Sequence, residues 1–137
     1  MRILVLCTGN SCRSQMAEGF LKYFKPEWEV FSAGIDPAAA VSRRAIRVMQ
    51  EIGIDISRNK PKHIDQFLSQ SFDYVVTVCD HANETCPVFT GKVKNRIHIG
   101  FPDPTKMAGE PEEVIREFRR VRDDMNKQFK EFIKSVV

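Results

Sequence analysis

No stretch of the 137-residue chain approaches the roughly 20 consecutive apolar residues of a membrane span. Only Arg2 precedes the run Ile3-Leu4-Val5-Leu6, which is too short for the core of a secretion signal. A cytoplasmic location without a membrane partner is therefore expected. Charge of one sign is scarce as well: 21 basic residues face 18 acidic ones, net +3, and they are spread along the chain. That leaves no footprint for a nucleic acid. Internal repeats, low-complexity tracts and linkers are missing, so the length fits one domain, residues 1–137. No exposed heptad is visible, which points to a monomer. The three histidines, His63, His81 and His98, lack metal-ligand spacing. An apolar fraction of 42% excludes wholesale disorder. Against these scarcities stand four cysteines: Cys7, Cys12, Cys79 and Cys86. In a reducing compartment such thiols are more often catalytic, redox-active or metal-binding than structural disulfides.

The largely apolar runs at 2–6 and 74–78 predict strands buried on both faces, and shorter strands are expected at 29–32 and 96–99. Helical spacing follows Ser14 through Met16, Phe20 and Phe24 up to Pro26, and follows a Ser42 cap through Ala45, Ile46 and Met49 to Gly53. A short helix is expected around Ile64–Leu68. A last helix, from about 111 to 134, carries an apolar stripe from Val114 to Val136. Residues 80–92 read as a polar, mobile loop. Alternation of strand and helix predicts an α/β fold, a four-stranded parallel sheet with helices on both faces. Ligands in such folds sit at the carboxyl ends of the strands.

That end holds Cys7-Thr8-Gly9-Asn10-Ser11-Cys12-Arg13-Ser14. A cysteine closes a buried strand, five residues intervene, and an arginine opens a helix. Such a loop can curl round a tetrahedral oxyanion with backbone N–H groups pointing inward, aided by the helix N-terminus. Gly9 is expected to supply backbone freedom. Arg13 can grip two anion oxygens through its planar fork. The same field, with the Ser14 hydroxyl, favours a thiolate at Cys7, a nucleophile facing the anion. Cys12, beside Arg13, is expected to pack outward as a structural thiol. Cys79 ends the second buried strand and should lie near the Cys7 loop. Cys86 follows seven residues later, too far for a zinc knuckle, and can pair with Cys79 only if the intervening segment folds back. Asp103 sits between Pro102 and Pro104, which hold its carboxylate as a general acid requires.

The segment Cys-Thr-Gly-Asn-Ser-Cys-Arg-Ser-Gln-Met-Ala-Glu-Gly resembles the signature loop of the low-molecular-weight tyrosine phosphatase fold, and more narrowly that of the thioredoxin-coupled arsenate reductases built on it. Similarity continues through Phe31–Gly34, Val48–Ser57, Val75–Cys79 and Arg120–Asp123. The resemblance implies reduction of arsenate to arsenite by a relay. Cys7 attacks arsenate and Asp103 protonates the departing oxygen. Cys79 attacks Cys7, and Cys86 then attacks Cys79. Thioredoxin would reduce the final disulfide, with glutathione and glutaredoxin as the rival reductant. The other reading is a phosphatase of the same fold acting on phosphate monoesters. It has no chemical use for Cys79 and Cys86, and Thr105-Lys106 follow Asp103-Pro104 where such phosphatases often carry tyrosine. Residual phosphatase activity is still expected of such a loop. The family often carries a potassium site. Asn10, Glu18 and Ser32 match it, while its aspartate ligand falls on Lys62, or on Asp65 with a shifted alignment. A lysine there would repel potassium, so no cofactor is expected to be required.

Overall fold

Ile3, Leu4, Val5 and Leu6 are fully buried, which requires a strand covered on both sides. The computed structural model describes residues 1–137. This run forms β1 (Arg2–Cys7), paired in parallel with β2 (Glu29–Gly34) and β3 (Phe72–Thr77). A fourth strand, β4 (Val93–His98), extends the parallel sheet beyond β3, giving the order β2-β1-β3-β4. The expected four-stranded parallel α/β sheet is thus observed, with strands one or more residues longer or shifted at their ends.

The major helices are α1 (Arg13–Phe24), α2 (Arg43–Gln50) and α4 (Pro111–Val136). Ser42 caps α2 by accepting the Ala45 N–H at 3.3 Å, and Pro111 opens α4, where a missing N–H costs nothing. The expected short helix near Ile64 is a single 3-10 turn, Ile64–Gln66. None of the helices is long and apolar enough to cross a membrane.

The segment read as a polar loop differs. Its first part forms a further helix, α3 (Asp80–Thr85), and the Cys79 sulfur caps it by accepting the Ala82 N–H at 3.4 Å. Ala82, fully buried, is the one residue of α3 that anchors it in the core.

Strand alternation assigns the two faces. Tyr74 packs edge-on against Phe132 of α4, with ring centroids 5.3 Å apart. Both α1 and α2 pack on α4, so the three longer helices share that face. Thr77, three residues on, points the other way. Its hydroxyl donates to Asn83 Oδ1 of α3 at 3.3 Å. The second face is therefore covered by one short helix and by loop residues such as Phe67, which packs on Phe31 of β2. The sheet is thickly covered on one side and thinly on the other.

Candidate active site

The loop between β1 and α1 turns its carbonyls outward. Those of Cys7, Thr8, Gly9 and Ser11 accept the N–H groups of Ile35, Asp36, Ala38 and Ser42 at 2.8–3.2 Å. The N–H groups of Thr8, Gly9, Ser11 and Cys12 have no acceptor within the chain. They surround a cavity of about 410 Å³ bounded by Cys7, Arg13, His81, Asp103, Thr105 and Lys106. Converging unpaired donors at a helix N-terminus form an anion nest.

Asn10 holds the loop in shape, and here the expectation about Gly9 is corrected. Gly9 has an ordinary backbone; the left-handed residue is Asn10, at φ 49°. Asparagine tolerates that region because its short polar side chain bonds locally. Its Nδ2 donates to Ser14 Oγ (2.7 Å) and Ser32 Oγ (2.9 Å). Its Oδ1 accepts from Gln15 Nε2 (3.1 Å) and from the Lys62 backbone N–H (2.9 Å). All four bonding positions of this fully buried amide are filled. The glycine that the loop does need is Gly34, on β2, where a Cβ would stand 2.5 Å from the Thr8 carbonyl oxygen.

Cys7 is buried, with its sulfur 2.8 Å from Ser14 Oγ and 3.2 Å from the Asn10 N–H. Ser14 already accepts from Asn10, so its own proton is free to point at the sulfur. Arg13 Nη1 donates to the Phe101 carbonyl at 3.1 Å, and Nη2 pairs with Asp103 Oδ2 at 3.4 Å. The other Asp103 oxygen accepts the Thr105 N–H (3.0 Å) and hydroxyl (2.6 Å). Asp103 is therefore held as the cap of a 3-10 turn (Pro104–Lys106), in addition to any restraint from its prolines. Cys12 packs inward, against the expectation: it is buried, 3.8 Å from Met16 Sδ, and burial pushes its thiol well above the ordinary range.

Leu6 lies level with Thr77, so Cys7 and Cys79 follow at the same ends of adjacent strands. The buried Cys79 sulfur is 3.4 Å from Thr8 Oγ1. Cys86 is half-buried just past the other end of α3. The six residues of α3 make Cys86 the seventh residue after Cys79, a helical rise of about 10 Å, whereas a disulfide needs about 4.4–6.8 Å between Cα atoms.

The residues weighed for potassium do not fit a bound cation. Asn10 Oδ1 is taken by two N–H donors, and the Glu18 carboxylate receives Lys22 Nζ (3.3 Å) and Asn59 Nδ2 (3.1 Å). Lys62 adjoins this group, and burial lowers its ammonium from the ordinary lysine range. Asp65 is exposed and pairs with His63 at 3.5 Å, so the shifted alignment finds no support in its position. Gln15, Thr105, Lys106 and the rim residue His81 were not singled out by the sequence for this site. Only Thr105 had a local cue, an Asp-Pro-Thr turn.

The sequence pattern of the family described as low molecular weight phosphotyrosine protein phosphatase matches residues 2–137. The arsenate reductase of Halalkalibacterium halodurans is 53% identical over 131 residues, 95% of this chain and 93% of the relative. The solved structure of an arsenate reductase in its phosphate-binding state superposes with a TM-score of 0.82 at 29% identity, covering 99% of this chain and 98% of that one. An Erwinia amylovora tyrosine phosphatase shares the fold, with a TM-score of 0.77 at 20% identity over 98% of this chain and 91% of that one. The chain belongs to the low molecular weight phosphotyrosine protein phosphatase family and, within it, to the arsenate reductases.

Proposed function

We propose that the protein reduces arsenate to arsenite through Cys7, Cys79 and Cys86 in turn, and that thioredoxin restores it. The observation that carries this reading is the line of three thiols: Cys7 in the anion nest, Cys79 beside it at Thr8, and Cys86 past the far end of α3.

Arsenate binds the unpaired N–H groups of Thr8, Gly9, Ser11 and Cys12, with Arg13 turning from Asp103 to its oxygens. The Asn10 N–H and the Ser14 hydroxyl stabilise negative charge on the Cys7 sulfur, which attacks arsenic. A sulfur–arsenic bond forms, and the leaving oxygen departs with a proton from Asp103. The Cys79 thiolate then attacks the Cys7 sulfur. The electron pair of the sulfur–arsenic bond goes to arsenic, which leaves as arsenite, and a Cys7–Cys79 disulfide remains. The Cys86 thiolate attacks Cys79, releasing Cys7 as thiolate. Thioredoxin supplies two electrons to the Cys79–Cys86 disulfide. The separation across α3 requires that helix to unwind before Cys86 reaches Cys79, which also exposes the product disulfide.

A phosphatase reading draws on the same nest, since phosphate fits it equally. No phenylalanine, tyrosine or tryptophan lines the cavity to hold an aryl ester, so weak phosphatase activity is the expectation. The test is arsenate-dependent NADPH consumption with thioredoxin and thioredoxin reductase. Turnover is expected to vanish on changing Cys7, Cys79 or Cys86 singly to serine. Sustained turnover by Cys86→Ser would overturn the relay, and efficient turnover with only glutathione and glutaredoxin would overturn the choice of reductant.

A further inference from the structure

Cys86 lies outside the anion nest, so nothing described there can make it a nucleophile. Its surroundings are different. It borders a cavity of about 280 Å³ with Thr77, Asn83, Arg96 and His98. Arg96, on β4 opposite Val75, brings Nη1 to 3.8 Å from the Cys86 sulfur. The guanidinium lies over the Phe89 ring, 5.4 Å from its centroid. Phe89 is itself buried and packs edge-on against Phe72 at 6.2 Å, so the platform under the arginine is fixed. Arg96 has no carboxylate within ion-pair distance: Asp73 is engaged by Lys94 at 3.1 Å, Asp80 by His98 at 3.0 Å, and the exposed Glu84 does not reach the guanidinium. The charge of Arg96 is therefore left for the sulfur.

We propose that Arg96, held flat on Phe89, is a positioning residue for Cys86, orienting its thiol and stabilising the thiolate that attacks Cys79. This deepens the relay and rests on it. The step is thiol–disulfide exchange: Cys86 gives its proton to water, the Cys86–Cys79 bond forms, the Cys7–Cys79 bond breaks and Cys7 leaves as thiolate. Only the thiolate attacks, and a neighbouring guanidinium favours it. Burial pushes the Cys86 thiol up, and Arg96 acts against that rise. Because Arg96 stands on the sheet rather than on α3, its charge remains in place while the helix unwinds. The titratable groups facing Cys86 across the cavity are Arg96 and His98, the latter also 2.8 Å from Thr77 Oγ1.

The test is alkylation of the fully reduced protein by iodoacetamide from pH 7 to 10, above the ordinary histidine range, with Cys86 followed by peptide mass spectrometry. Arg96→Met is expected to move the Cys86 profile to higher pH and to slow its alkylation at pH 7 about two- to fivefold, a modest change because the arginine is partly solvated. Arg96→Lys is expected to keep most of the parent rate. Protection of Cys7 from alkylation by inorganic phosphate, retained in both variants, reports an intact fold. An unchanged profile in Arg96→Met, or an equal loss in both variants, would overturn the proposal. The readout needs no turnover, so it stands apart from the serine test of the relay: continued turnover by Cys86→Ser removes the relay, while the alkylation profiles judge the Arg96 contact alone.

Discussion

Cys79 and Cys86 stand at opposite ends of one short helix, the first as its N-terminal cap through the 3.4 Å contact of its sulfur with the Ala82 N–H. A bond between them cannot form while α3 is intact. The oxidised protein is therefore expected to lose hydrogen-exchange protection across residues 80–86, with α1 and α4 unchanged. Exchange measured by mass spectrometry on reduced and arsenate-oxidised protein checks this. Equal protection of α3 in both states would mean that Cys79 and Cys86 are not the product pair.

Gly34 faces the anion loop where no side chain fits. Its absent Cβ would meet the Thr8 carbonyl oxygen at 2.5 Å and the Asn10 nitrogen at 3.0 Å, both backbone atoms that cannot swing aside. Gly34→Ala is expected to lower stability by about 1–3 kcal/mol and to weaken phosphate binding by tenfold or more, as the nest is pushed open. Thermal melts and equilibrium binding measure the two effects. Unaltered binding would show that the loop has slack.

Glu51, at the end of α2, is gripped by two arginines of α4: Arg122 at 2.7 Å and Arg119 at 2.8 Å. The Arg119 hydrogen bond, with that of Arg122, lowers its carboxyl to about 2. A folded-state value below the unfolded one means that the contribution is complete above about pH 4.5 and is lost as pH falls toward 2. Glu51→Gln is expected to melt below the parent at pH 7, with the gap closing between pH 4.5 and 2. Solvent around the pair keeps the gap small. A gap that stays constant with pH would assign the loss to something other than charge.

Lys62 adjoins the Asn10 and Glu18 groups, and its backbone N–H is bonded to Asn10. Arsenate reduction is accordingly expected to proceed at the same rate in sodium and potassium buffers of equal ionic strength. A clear activation by potassium alone would show that a cation enters in spite of the ammonium.

The parts legible in the sequence were those with unbroken or periodic apolar patterns. Ile3–Leu6 announces a buried strand because nothing polar interrupts it, Tyr74–Val78 does so because Thr77, itself a β-branched strand former, is its one polar member apart from the tyrosine hydroxyl, and Cys7 to Arg13 announces an anion loop because its spacing fits one geometry. α3 was illegible for the opposite reason. Asp80, His81, Asn83, Glu84 and Thr85 leave Ala82 as the one buried point, too little for a period, and the cap is a sulfur. Cys12 was misplaced because neighbours in sequence do not reveal the Met16 contact one helical turn later. Asn10 was passed over in favour of Gly9 because glycine is the commoner left-handed residue. Arg96 and Cys86 meet across ten residues and a strand, a relation that no local pattern encodes.

The uneven covering of the sheet has a consequence for endurance over many cycles. The three helices that carry most of the apolar packing lie on one face, while α3, the segment that the proposed relay unwinds, lies on the other and is anchored by one alanine. Each turnover of the proposed relay can then dismantle α3 without disturbing the part of the molecule that keeps it folded. Local melting and global unfolding are separate events here, and the protein can be worked repeatedly at its thin side while its thick side serves as the frame.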